Sequence, residues 1–201
     1  MFETTRAREE VAELAKSKPA DALRAARKIA DPWFATQAFA WIVRFAPADI
    51  ALSALDEARE TARAGRDAYQ RSAVLAWLIR AAIETGHSDA AQAILADAIA
   101  LLAKVKPAPS RAEAAGLLFE AAFPGGVKLW RPLLAAIERH APPGDDWKAG
   151  RTYRALSHIV ANEDKDAARR LVEALPAGKT RDRAEKELAD GTTAPPRAFF
   201  W

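Results

Sequence analysis

No cysteine occurs in the 201 residues. Disulfides, thiolate metal sites and cysteine nucleophiles are therefore excluded, and the composition suits a reducing compartment, so a cytoplasmic location is expected. Long apolar runs are missing too. The longest stretches, 39–43 and 74–79, fall far short of the roughly 20 residues that cross a bilayer, and no membrane partner is expected. Residues 1–18 carry Glu3, Arg6, Arg8, Glu9, Glu10 and Glu13, which is not the apolar pattern of a secretory leader. An excess of one charge is lacking as well: 30 basic residues face 27 acidic ones, for a net charge of +3. So small a surplus permits a nucleic-acid partner without implying one.

The motifs of catalysis are also scarce. His87, His140 and His158 are the only histidines; no two have the i, i+4 spacing of a helical metal site, and no His-Glu-x-x-His is present. His87 falls in a turn and His140 near a helix end, which leaves His158 for a buried role. Pro124-Gly125-Gly126-Val127-Lys128 and Gly178-Lys179-Thr180 contain fragments of phosphate-binding loops, but neither has the full glycine spacing or a preceding strand. Asp145-Asp146, Asp164 and Asp166 stand at helix starts, where a carboxylate favours the helix dipole by about 0.3–1 kcal/mol without any catalytic role. Neither an enzymatic activity nor a cofactor is expected.

What the sequence has is helix. Half of it is hydrophobic, much of that alanine, the residue with the best helix propensity. Glycine (9) and proline (12) are few and clustered. Between the clusters, apolar residues recur at i, i+3, i+4 and i+7, as in Ile94, Leu95, Ala98, Ile99 and Leu102. Helices are predicted at about 3–16, 19–30, 33–46, 48–64, 69–85, 88–104, 110–122, 128–140, 147–161, 164–175 and 179–190. Asp31-Pro32 and Pro107-Ala108-Pro109-Ser110 read as helix starts, Gly86 as a C-terminal cap and Ser88-Asp89 as the next N-cap. Pro124-Gly125-Gly126 and Pro142-Pro143-Gly144 read as breakers.

The helices repeat. Phe39-Ala-Trp-Ile-Val-Arg-Phe-Ala46 is answered by Leu75-Ala-Trp-Leu-Ile-Arg-Ala-Ala82 at an offset of 36 residues, which also pairs Asp31 with Asp67 and Trp33 with Tyr69. A weaker copy at an offset of 40 aligns Arg71 with Arg111 and places Glu120 where Arg80 stands. A fourth lies around 147–160. Links this short make neighbouring helices antiparallel, so each unit reads as a helical hairpin.

Residues 69–99 resemble a TPR or related repeat, through Gly86-His-Ser-Asp-Ala-Ala91 followed by Leu95 and Ala98. Residues 164–176, ending in Leu175-Pro176, resemble the second helix of the same unit. The first helices lack the Trp–Leu–Gly–Tyr spacing of a TPR, and the period is longer than its ~34 residues. The resemblance implies an all-α protein, an α-solenoid of about five antiparallel hairpins in a single right-handed TPR/HEAT-like array. It covers roughly 31–176 within a helical-repeat domain over 1–190, followed by a Pro/aromatic tail over 191–201.

Stacking in register would make Trp41 and Trp77 neighbours, and likewise Arg44 and Arg80. Two guanidinium groups so placed repel unless something anionic joins them. Gln37, Trp41, Arg44, Arg71, Trp77 and Arg80 are accordingly the candidate partner-binding residues. The alternative is purely structural: Arg80 pairs with Glu84 one turn on, Arg44 with an acid of the next helix, and the tryptophans are core wedges. The tail's Phe199, Phe200 and Trp201 either cap the apolar end of the last hairpin or insert into a partner's groove. A scaffold binding a protein or peptide on a concave face is the expected function. The competing expectation is nucleic-acid binding by a HEAT-like array, which would need a face lined with arginine and nearly free of Asp and Glu.

Overall fold

Helices begin where a short acceptor side chain satisfies the free N–H groups of a first turn. In the computed structural model, which describes residues 2 to 200, four aspartates do this. Asp31 accepts from the Trp33 amide at 2.9 Å, Asp67 from Gln70 at 2.8 Å, Asp146 from Lys148 and Ala149 at 2.9 Å each, and Asp164 from Ala167 at 2.9 Å. In chain order the helices are α1 (Phe2–Ser17), α2 (Pro19–Ala26), α3 (Pro32–Phe45), α4 (Ala48–Arg63), α5 (Ala68–Ala73) and α6 (Leu75–Glu84). They continue with α7 (Ser88–Leu102), α8 (Ala108–Ala122), α9 (Val127–His140), α10 (Trp147–Val160), α11 (Lys165–Glu173) and α12 (Lys179–Ala189). The aspartates cap α3, α5, α10 and α11. A single 3-10 turn, Phe123–Gly125, precedes α9, and no strand occurs among the described residues. The protein is all-α.

Two local expectations need correction. The helix predicted over 69–85 is interrupted at Val74, whose carbonyl accepts from Trp77 at 3.2 Å in a tighter turn. The N-cap position before α7 belongs to His87 rather than Ser88, and its side chain makes no capping bond. The reason lies one residue earlier. Gly86, at φ +78°, closes α6 with paired bonds from its own amide to Ile83 O (3.1 Å) and from His87 N to Ala82 O (2.8 Å). That motif leads directly into the next helix.

Packing divides the helices, apart from the short α5 that lies against α7 and α8, into two sets. α1, α3, α6, α8, α10 and α12 contact one another in succession, while α2, α4, α7 and α11 lie against the helix that precedes each and α9 against α8. The burial patterns follow from this. α8 buries an unbroken run from Ala114 to Ala122, and α3 buries all of 35–40 together with Ile42 and Val43. α4 buries only the stripe Ala51, Ala54, Leu55, Ala58 and Ala62, and α7 only Ala91, Ile94, Leu95, Ala98 and Leu102. A helix flanked on both sides is apolar nearly all round; one with an outer face keeps a single stripe. Alanine at these contacts lets helix axes approach closely.

The last helix is left by a second glycine cap. Gly191 (φ +74°) donates to Leu188 O at 3.1 Å while Thr192 donates to Glu187 O at 2.8 Å. The chain reverses there and runs back across α10, α8, α6 and α3.

Candidate functional site

Residues 194–200 lie along one side of α10, α8, α6 and α3, meeting those helices in that order. At the start of this segment, Ala194 N donates to the His158 carbonyl of α10 at 3.1 Å, and Asn162 Nδ2 donates to Ala194 O at 3.0 Å. Pro195 and Pro196 then offer no N–H donors. Arg197 forms an ion pair with Glu120 of α8. The Phe199 ring meets Trp77 of α6 edge-on at 5.2 Å between centroids, and Phe200 meets Trp41 of α3 the same way at 5.0 Å. Both rings are buried, with Phe199 only 2% exposed. Edge-to-face pairs of this kind contribute about 0.5–1.5 kcal/mol beyond their burial.

Residues 36 positions apart come together beside this segment. Trp33 and Tyr69, 36 positions apart in sequence, stack at 6.2 Å and 13°. Arg44 and Arg80, related by the same offset, converge on one carboxylate: Glu84 accepts a hydrogen bond from Arg80 Nε at 2.6 Å and forms an ion pair with Arg44, whose Nε lies 2.8 Å away. The structural alternative for these arginines is therefore what the chain adopts. Two cations sharing one anion leave a local positive excess, and Arg80 Nη1 is buried without a hydrogen-bond partner. Arg44 also lies over the rings of Phe200 (4.9 Å), Phe45 (5.4 Å) and Trp41 (5.9 Å), where the electron-rich ring faces attract its charge.

Of the six candidate residues, five gather here. Gln37 is buried, accepts from Arg8 Nη1 at 2.9 Å, and lines with Trp41, Trp77 and Phe199 a cavity of about 270 Å³ to which Arg8, Glu9 and Glu13 also contribute. Arg71 does not join them. Its Nε donates to Gly65 O at 2.6 Å, just as the aligned Arg111 donates to Val105 O at 2.9 Å. Both brace the turn before their own helix, so the alignment at an offset of 40 marks a shared structural role. Phe199 and Phe200 do not cap the last hairpin; they lie on the paired octets at the opposite end. Trp201 falls outside the described residues.

Sequence reasoning missed Arg197 and Asn162 as anchors of this face. Arg197 had a visible signal, because Glu120 interrupts the arginine register and needs a cation. Asn162 had none, since its partner is a backbone carbonyl distant in sequence. At the α10 end, Glu187 accepts from Arg154 Nε and Nη2 at 2.6 Å each and from Arg183 Nε at 2.9 Å. The Arg154 hydrogen bonds, followed by those of Arg183, hold its carboxyl at about 2. His158 lies 3.2 Å from the same carboxylate, yet burial outweighs that attraction and lowers its pKa. Tyr69 is pushed up to about 12, first by burial and then by the charge of Glu113. No group of three or more His, Asp or Glu among the described residues is placed to hold a metal ion, and no helix among them is long and apolar enough to cross a membrane. No protein-family model matches this sequence, and no curated protein or solved structure matches it significantly.

Proposed function

We propose that this chain is a non-catalytic binding scaffold: a single right-handed TPR/HEAT-like α-solenoid that presents the face of α3, α6, α8 and α10 to a protein or peptide partner. Support for the solenoid comes from the spacing of its polar cross-links. Arg27–Glu57, Arg59–Asp97, Trp130–Glu163 and Arg154–Glu187 join residues 30, 38, 33 and 33 apart, about one repeat each time. Stacked repeats touch chiefly their neighbours, and such links are what stacking produces. The observation that carries the binding reading is the tail itself, an extended stretch of polypeptide already seated along the face.

Nucleic-acid binding is the weaker reading. Arg44 and Arg80 are joined to Glu84, Arg154 to Glu187, and Glu113 and Glu120 stand on the same side. A polyanion would meet those carboxylates. A random-peptide display selection against the full chain and against Trp41→Ala/Trp77→Ala separates the possibilities. The expected outcome is peptides retained by the first and lost by the second. Retention of duplex DNA with a steep salt dependence, and no such peptides, would reverse the ranking.

A further inference from the structure

Three features of the seated tail define what else fits beneath it. Its only cation, Arg197, lands on Glu120, the position at which the third repeat carries an acid where the second has Arg80. Its two aromatics land on the two repeats that carry tryptophan at the matching position, Phe199 on Trp77 and Phe200 on Trp41. Each anchoring side chain thus meets a different helix in turn, α8, α6 and then α3, as an extended strand crossing parallel helices must. The backbone contributes little: beyond Ala194 the segment has two prolines, and 197–198 are exposed. A segment held by side chains at three points, with no ladder of main-chain bonds, is one that another segment of the same chemistry can replace.

We infer that the tail is a built-in stand-in for a separate partner: an extended segment bearing arginine, any residue, then two aromatics, which binds α8, α6 and α3 in that order. The inference rests on the binding-scaffold reading and adds to it the chemistry of the ligand. The cavity of about 270 Å³ beside Phe199 refines the specificity. A phenylalanine leaves that space unfilled, and a rim of Arg8, Glu9, Glu13 and Gln37 offers both donors and acceptors to a polar-tipped ring, so tryptophan or tyrosine at the first aromatic position is preferred over phenylalanine. The tail competes from within the same chain, so its effective concentration, set by the short link from Ala194, favours it over a free segment. An incoming segment must displace it.

The test uses full-length protein and a fluorescein-labelled peptide with the sequence of residues 193–200, followed by anisotropy. The variant Phe199→Ala/Phe200→Ala empties the aromatic sites and is expected to bind this peptide about 10-fold or more tighter than the wild type does. Replacing the peptide's first phenylalanine with tryptophan strengthens binding further. A charge exchange gives an independent reading: Glu120→Arg, whose own Arg197 is now repelled, binds a peptide carrying glutamate in place of that arginine and rejects the original. Circular dichroism establishes that each variant is folded. Equal binding of both peptides to both proteins overturns the inference. Peptides selected on this face without the arginine–x–aromatic–aromatic spacing overturn it while leaving the scaffold reading intact; an absence of face-dependent peptides overturns both. A wild-type dimer that the peptide dissociates makes the occupant a second copy of this chain, and overturns the commitment to a separate partner.

Discussion

Glu84 is the residue on which the candidate face turns electrically. It neutralises one of the two cations that the repeat brings together, and its side chain is only 26% exposed. Glu84→Gln leaves Arg44 and Arg80 facing each other without an anion and is expected to cost about 1.5–3 kcal/mol in urea unfolding, the range for a hydrogen bond to a charged group. Adding Arg80→Ala to that variant should recover part of the loss, because the repulsion goes with it. His158 gives a second residue-scale expectation. Burial lowers its pKa in the folded state despite Glu187 nearby, with Arg154 and Arg183 opposing protonation. The unfolded chain therefore binds the proton first, and stability falls as pH drops from about 6.5 toward the folded value, then levels off. Thermal melts of His158→Gln should lack that segment of the pH profile. Glu187, held near 2 by Arg154 and Arg183, has the depressed value of a paired acid. Its contribution is complete above the ordinary glutamate pKa of about 4.3 and is lost only as pH falls from there through its own pKa.

Among the elements, the helices were the most legible feature, since period, caps and breakers all act within a few residues. The Asp31, Asp67, Asp146 and Asp164 caps, the Gly86 closure and the Pro142–Gly144 break each reflect a local rule. The interruption at Val74 was hidden because nothing in the neighbouring residues forbids helix there. The face was half legible. The offset of 36 identified Trp41, Arg44, Trp77 and Arg80 as neighbours, but it said nothing about what would cover them. The separate match of Arg71 with Arg111, at an offset of 40, reflects a different role, because both brace turns. The tail's course depends on one element boundary, the glycine cap that ends α12. Gly191→Ala forces a side chain into left-handed backbone at a cost of about 1–2 kcal/mol. The expected signature is a lower urea midpoint together with loss of the Trp41 and Trp77 fluorescence environment.

At the scale of the whole molecule, the tail has a mechanical consequence. In the solenoid proposed above the stabilising contacts join adjacent repeats, so distant repeats would unfold with limited coupling. Arg197 reaches Glu120 across 77 residues of sequence, and Phe199 and Phe200 reach further back still, to α6 and α3. One segment thereby ties the α10 end to the α3 end. Releasing it with Phe199→Ala/Phe200→Ala should broaden the urea transition and lower its slope, because the ends no longer melt together, while circular dichroism in water stays nearly unchanged.

The most direct measurement is nuclear magnetic resonance on the full chain with labelled phenylalanine and tryptophan, reading through-space contacts between side-chain rings. The expected result is contact between Phe199 and Trp77 and between Phe200 and Trp41, with neither ring near α11 or α12. Aromatic contacts to the last hairpin, or none to either tryptophan, would contradict the seated tail and remove the basis for a peptide-binding face.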